Sequence, residues 1–268
     1  MNLSVGRKMR EKRRRFLVNI MRNILIPYEV SDVYEEELIG EFESQLEKKC
    51  FYRFLALIGS KSLVLDLACG DGRHTSSLSK NMNHVLALDL SSNNLRMAKK
   101  KCLANQNVSF IKSSMFKLPF RKKVFNGIWF SQAFEYVPPD KRKEFLTLLR
   151  RVLKTKGILY MSVESWMYPS FWKSLRELLS DFILFCYWKA VKRKPLLWGE
   201  FLYYLSLHDV QSRYSGWHYH VHTDKWTLIK LLNKCGFKIL KLDLYDGYIY
   251  VLCRKHKNNI LVKIKEKL

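Results

Sequence analysis

Acidic residues are scarce in this chain: 24 Asp and Glu stand against 48 Lys and Arg in 268 residues, a formal charge of +24. Such a surface attracts anions, and RNA, anionic lipid and phosphorylated metabolites all suit it, although solvated Lys-rich helix faces give the same count with no partner at all. Cysteines are few, at Cys50, Cys69, Cys102, Cys186, Cys235 and Cys253, with no C-x-x-C pair and no secretory leader ahead of them. That argues against a disulfide-stapled scaffold, and the expected setting is the reducing cytoplasm. No apolar run approaches the ~20 residues that a bilayer requires. Phe16 to Ile26 is broken by Arg22 and Asn23, and Phe182 to Trp188 is closed off by Asp181 and Lys189. Internal repeats and low-complexity linkers are also missing, so 48% hydrophobic residues at this length indicate one large domain with a full core.

What is present begins with a cluster of cations, Arg7, Lys8, Arg10, Lys12 and Arg13 to Arg15. Residues 1–30 read as a basic N-terminal extension, either solvated or lying as a basic amphipathic helix on an anionic membrane surface or RNA. Between Glu29 and Glu47 the residues Leu38, Phe42 and Leu46 recur four apart, which predicts a helix packed on the sheet domain. From Ser62 short apolar runs alternate with longer amphipathic ones, the pattern of βα units. The expected strands are 62–67, 84–89, 107–111, 125–131, 156–163, 237–243 and 248–254, with helices near 73–80, 92–103, 139–153 and 224–235. The fold class is therefore α/β: a Rossmann-like, seven-stranded, mostly parallel sheet with helices on both faces. The domain is expected over 31–254, with a basic C-terminal tail at 255–268. Residues 165–222 break the rhythm and are rich in Trp, Tyr and Phe, which predicts an insertion between the fifth and sixth strands that forms a helical lid.

The strongest local signal is Leu63-Val64-Leu65-Asp66-Leu67-Ala68-Cys69-Gly70-Asp71-Gly72, an apolar strand running into a glycine turn that opens a helix. Gly70 and Gly72 remove side chains where backbone must approach a ligand, and the helix behind them offers unpaired N–H groups. Asp66 stands where its carboxylate can orient the turn. Asp89 ends the next strand about 20 residues further on, the place from which an acid accepts hydrogen bonds from both ribose hydroxyls of a nucleoside. Its bland alternative is a helix cap. A dinucleotide oxidoreductase would need a third small residue at the position that Thr75 fills, which weighs against that fold relative.

Taken together, Leu65 to Gly72 resembles motif I of class I S-adenosylmethionine-dependent methyltransferases, and Ala87-Leu88-Asp89-Leu90-Ser91 resembles their ribose-binding strand. Ser113 to Phe120 is similar to the adenine-contacting loop, Phe125 to Val137 to the fourth strand and its turn, and Leu149 to Tyr160 to the helix, loop and strand that close the core. Among relatives the chain looks nearest to the branch of ubiquinone and menaquinone methylases. The resemblance implies S-adenosylmethionine as cofactor, held by Asp66, Ala68, Gly70, Gly72, Asp89, Leu90, Ser114, Met115 and Ser131. Two positions depart from the family: its first motif I glycine is Ala68 here, and the acid of its adenine loop is Ser114.

Methyl transfer from a sulfonium needs alignment, water exclusion and sometimes a base for the acceptor's proton. Candidates for that base are His220, Glu135, Tyr136 and His218; in the family comparison His220 occupies the place of a histidine ahead of the last large helix. The alternating His218, His220 and His222 also invite a zinc reading, but no further ligand or cysteine pair stands nearby, and no structural metal is expected. For the acceptor, a small or lipid-like molecule accounts for the aromatic insertion and adds a peripheral hold on a membrane. RNA accounts for the charge, a polar metabolite for neither feature, and a non-catalytic S-adenosylmethionine-binding protein would need no acceptor.

Overall fold

In the computed structural model, residues 2–30, 44–208 and 213–256 are described. The near-continuous apolar runs form the strands β1 (Leu63–Leu67), β2 (His84–Asp89), β3 (Val108–Lys112), β4 (Phe125–Phe130) and β5 (Leu153–Glu164). A hairpin of β6 (Glu200–His208) and β7 (Arg213–Val221) comes next, and β8 (Phe237–Tyr245) and β9 (Tyr248–Lys255) end the sheet. The main sheet has seven strands in the order β3-β2-β1-β4-β5-β9-β8. The first five are mutually parallel, and β9 runs antiparallel between β5 and β8. The order reverses between β1 and β4, so a crevice opens beyond their carboxyl ends, where ligands of open α/β sheets bind.

Helices α1 (Asn2–Val30), α2 (Gln45–Ile58), α3 (Arg73–Ser79), α4 (Ser92–Lys101), α5 (Arg142–Val152), α6 (Phe171–Cys186) and α7 (Lys225–Lys234) complete the described chain. Of the helix expected across 29–47, residues 31–43 lie outside the described ones, and Gln45 to Glu47 open α2. Ser44 caps α2 by accepting from the Glu47 N–H at 3.0 Å, and α2 then buries Cys50, Phe51 and Phe54. Leu38 and Phe42 lie outside the described residues. One face of the sheet is sealed by α2, where Phe51 and Phe54 meet Trp129 edge-on and Trp129 stacks on Tyr160 at 3.6 Å. The opposite face is covered by α5 and α7 through Phe145, Leu146, Leu149, Leu228 and Leu232.

The insertion supplies the expected helix, α6, and then a hairpin that the sequence did not announce. Directly opposed residues share a face of the hairpin, so Phe201 with His220 and Tyr203 with His218 form one side. Leu202, Tyr219 and Val221 form the other, and they make a second core with Ile20 of α1, Trp188 and Leu196. A cavity of about 250 Å³ opens in that second core between Phe16, Ile20, Trp188, Leu202 and Trp217. The cations of α1 are accordingly not all solvated. Arg13 donates to both carboxylate oxygens of the fully buried Glu200, at 2.9 and 2.7 Å, and to Asp140. At the far end of α1, Glu29 accepts from the backbone N–H of Ser92, at the start of α4. Thus α1 runs from the hairpin to the tip of β2. No described helix is long and apolar enough to cross a membrane.

Candidate active site

At the end of β1 the chain turns through three left-handed residues, Ala68 at φ +56°, Gly70 at φ +54° and Gly72 at φ +85°. The two glycines serve different ends. A methyl group at Gly70 would touch nothing within 4 Å, so that backbone borders open space, whereas at Gly72 it would lie 2.7 Å from the Cα and Cβ of Ala98. Gly72 is therefore required for α3 and α4 to approach each other, and only Gly70 leaves room for a ligand. Ala68, in the place of a family glycine, carries a Cβ in a conformation that costs an L-residue roughly 1–2 kcal/mol.

Asp66 is buried and accepts from the Thr75 hydroxyl at 2.6 Å. Burial pushes its carboxyl up to about 6, against the opposing pull of His74 and Thr75. Asp89, at the tip of β2, accepts from the N–H of Gly70 at 2.9 Å and of Ser91 at 2.9 Å. Burial raises its carboxyl too, and these backbone donors offset part of that rise. The carboxylate is thus oriented by the glycine turn and held beside the open space at Gly70. Next to it Leu90 is exposed, and Phe116 on the loop after β3, also exposed, meets Phe145 of α5 edge-on at 5.6 Å. Ser114 accepts from the Phe116 N–H at 3.3 Å, and the neighbouring Met115 is half-buried against the main core. The loop is tied to β2 by the Ser113 N–H donating to the Asp89 carbonyl at 2.9 Å.

Ser131 directs its hydroxyl elsewhere. It donates to Glu47 of α2 at 2.7 Å and lies 3.0 Å from the Ser162 hydroxyl, which leaves its backbone as what it offers a nucleoside. Glu47 is fully buried, accepts also from the Tyr160 hydroxyl at 3.2 Å and stands 3.5 Å from His74. Gln132, at φ +49°, donates its N–H to Ser162 and accepts from Arg73 at 3.3 Å. This network props the β1 and β4 turns from below; sequence reasoning missed Glu47, Ser162 and Gln132.

On the other side of the crevice the structure gathers His220 and Tyr136. His220 Nδ1 lies 2.6 Å from Glu164 Oε2, while its Nε2 is 3.1 Å from the Tyr203 hydroxyl and 3.3 Å from that of Tyr136. Burial alone would raise the Glu164 carboxyl, but the hydrogen bond and charge of His220, with His222 and Tyr248 adding to them, hold it below the ordinary range. An ionised carboxylate only accepts, so Nδ1 carries a proton, and in the neutral form of the ring it is Nε2 that would present a lone pair to the tyrosines. His222 is bonded at Nδ1 to Asp181 of α6 at 2.8 Å and stands 3.7 Å from Glu164. The alternating His220 and His222 are thus matched to carboxylates, and among the described residues no cluster of three or more suited to a metal is found.

The remaining candidates lie apart from this pair. His218 is buried 6.3 Å from the His220 ring, and burial, with the nearby charge of His220, lowers it to about 4. Glu135 is buried, and its charge acts on Arg142, whose guanidinium burial pulls down to about 10. Arg142 donates to the Val137 carbonyl at 3.0 Å and covers the Phe134 ring, a structural assignment for this stretch.

Comparison with known proteins places this geometry. A family profile described as a methyltransferase domain matches residues 64–157. The chain is 26% identical over 198 residues to a demethylmenaquinone methyltransferase of Staphylococcus saprophyticus, covering 71% of this chain and 76% of that one. It is 27% identical over 176 residues to a malonyl-[acyl-carrier protein] O-methyltransferase of Hamiltonella defensa, covering 65% and 61%. In fold it is similar to the Burkholderia thailandensis 1,6-didemethyltoxoflavin-N1-methyltransferase solved with S-adenosylhomocysteine, with a TM-score of 0.60, 17% identity and 91% of each chain covered.

Proposed function

We propose that the chain is a class I S-adenosylmethionine-dependent methyltransferase, as its methyltransferase-domain match and its relatives support, and that its acceptor is a small or lipid-like molecule whose reacting group gives up a proton to His220. The observation that carries this reading is the pairing of His220 with the half-buried Glu164 and with two tyrosine hydroxyls beyond the β4 and β5 ends. A surface built for an extended nucleic acid would place cations and exposed stacking rings there. Similarity to a protein named for demethylmenaquinone favours the same class of acceptor.

The cofactor side fits the nucleoside. The Asp89 carboxylate, oriented by the Gly70 and Ser91 N–H groups, would accept from the ribose hydroxyls, and Gly70 leaves the space that a side chain would fill. Leu90, Ser114 and Met115 would hold the base. When bound, S-adenosylmethionine supplies a methyl group on an already activated sulfonium, so the protein's work is alignment and proton management. Glu164 fixes the His220 tautomer, Nε2 takes the acceptor's proton, and Tyr136 and Tyr203 hold the ring in place until the acceptor displaces one of them.

The test incubates the full chain with methyl-labelled S-adenosylmethionine and three acceptor panels: quinols and phenols in mild detergent, tRNA, and polar metabolites. Label in the organic extract supports the proposal. Label in RNA overturns it, and S-adenosylhomocysteine binding without transfer to any panel favours a non-catalytic binding protein.

A further inference from the structure

Helix α6 leaves more apolar surface in solvent than a helix that serves only its own domain needs. None of its residues is buried. At helical spacing Trp172, Arg176, Leu179 and Ile183 share one face, and that face points to solvent. Trp172 is 76% exposed, Phe171 70% and Ile183 67%, and Val191 in the turn beyond the helix is 66% exposed. The inward side is mixed: Asp181 reaches His222 at 2.8 Å, while Leu184 and Phe185 touch the second core.

The charge around this face is equally one-sided. Between Phe171 and Lys194 there are six cations, Lys173, Arg176, Lys189, Lys192, Arg193 and Lys194, against Glu177 and Asp181; Lys173 pairs with Asp246 and Arg176 with Glu177, each at 2.9 Å, so the positive excess lies on Lys189, Lys192, Arg193 and Lys194. An exposed apolar stripe of aromatic and aliphatic residues fringed by cations is the pattern of a helix that lies in the headgroup region of an anionic bilayer. Ile183, Leu179 and Val191 have no π-face to stack on a base, which disfavours RNA, and two copies at a formal charge of +24 each repel one another, which disfavours self-association.

We infer that the outward face of α6, with the turn through Val191 and Arg193, docks the protein on an anionic membrane surface. The contact runs through the insertion rather than through the basic termini. Its inner face meets His222 through Asp181, and His222 stands 3.7 Å from Glu164, so the membrane-bound helix borders the acceptor side. The inference does not depend on which acceptor is methylated.

Vesicle co-sedimentation of the full chain tests it, comparing phosphatidylglycerol-containing vesicles with pure phosphatidylcholine. Partition at least tenfold stronger to the anionic vesicles is expected, with a blue shift of tryptophan emission. A Trp172→Glu/Ile183→Glu variant should lose at least tenfold of that partition while binding S-adenosylhomocysteine as wild type does, which shows that it is folded. An Arg176→Glu/Arg193→Glu variant should weaken binding to anionic vesicles alone. Equal partition of wild type and the Trp172→Glu/Ile183→Glu variant would overturn the inference, as would a face that instead mediates dimerisation in ultracentrifugation or binds RNA but not vesicles. Partition is read without methyl transfer, so failure here and failure of the acceptor assay are separate results.

Discussion

The carboxylate of Glu164 sits 2.6 Å from Nδ1 of His220, joining the end of β5 to the inner face of the hairpin. Glu164→Gln keeps the shape and removes the charge, so Nδ1 no longer has an obligatory acceptor and the ring is free to present the wrong nitrogen. Once an acceptor turns over, kcat should fall roughly a hundredfold, the scale of a lost general base, with S-adenosylhomocysteine affinity unchanged in calorimetry. An unaltered kcat would leave His220 a packing residue.

Asp89→Ala removes the carboxylate proposed to accept both ribose hydrogen bonds. Two charge-assisted bonds at roughly 1.5 kcal/mol each amount to about a hundredfold in affinity. Titration with S-adenosylhomocysteine should show that loss, and full-strength binding by the variant would mean the ribose is held elsewhere.

The glycine turn predicts opposite outcomes for two single-methyl changes. Ala68→Gly relieves a left-handed Cβ and should raise stability by about 1 kcal/mol, seen as a higher Tm. Gly72→Ala drives a Cβ to 2.7 Å from Ala98 at φ +85° and should destabilise by several times as much. A neutral Gly72→Ala would show that α3 and α4 can separate without cost.

His218 makes stability fall with acid. Burial lowers its folded pKa from 6.5 to about 4, so the unfolded chain binds the extra proton first. Stability from this residue is fully present above about pH 6.5 and is lost progressively as pH falls towards 4, by about 3 kcal/mol. In urea melts across that window, His218→Gln should flatten the slope relative to wild type. An identical slope would mean that His218 takes up its proton in the native protein without penalty.

The parallel strands were legible because strands covered on both faces read as continuous apolar runs, as Leu63 to Leu67 does. The glycine turn and Asp89 were legible because their spacing is local. The hairpin was not, because both of its faces are apolar or aromatic: Tyr203 and His218 face the crevice while Leu202 and Tyr219 face α1, which erases the alternation that marks a half-exposed strand. Helix α2 did carry a readable signal, since Ser44 and Glu47 stand three apart as in a capping box. What Glu47 does could not be read, because its partners Ser131 and Tyr160 are 84 and 113 residues away. Glu164 and Asp181 are hidden in the same way, each an ordinary acid until the fold brings a histidine to it.

Arg13 and Glu200 are 187 residues apart in the chain. A ribosome therefore finishes the glycine turn, the β2 strand and most of the sheet before the hairpin partner of α1 exists, so the contact between α1 and the hairpin is made late. Loops of that length close slowly compared with local βα units. The order of assembly is then core before cover: the sheet forms around its own contacts, and α1 afterwards ties the hairpin and the tip of β2 together from outside. Deleting α1 should accordingly leave a cooperative unfolding transition for the sheet while the hairpin loses its hydrogen-exchange protection.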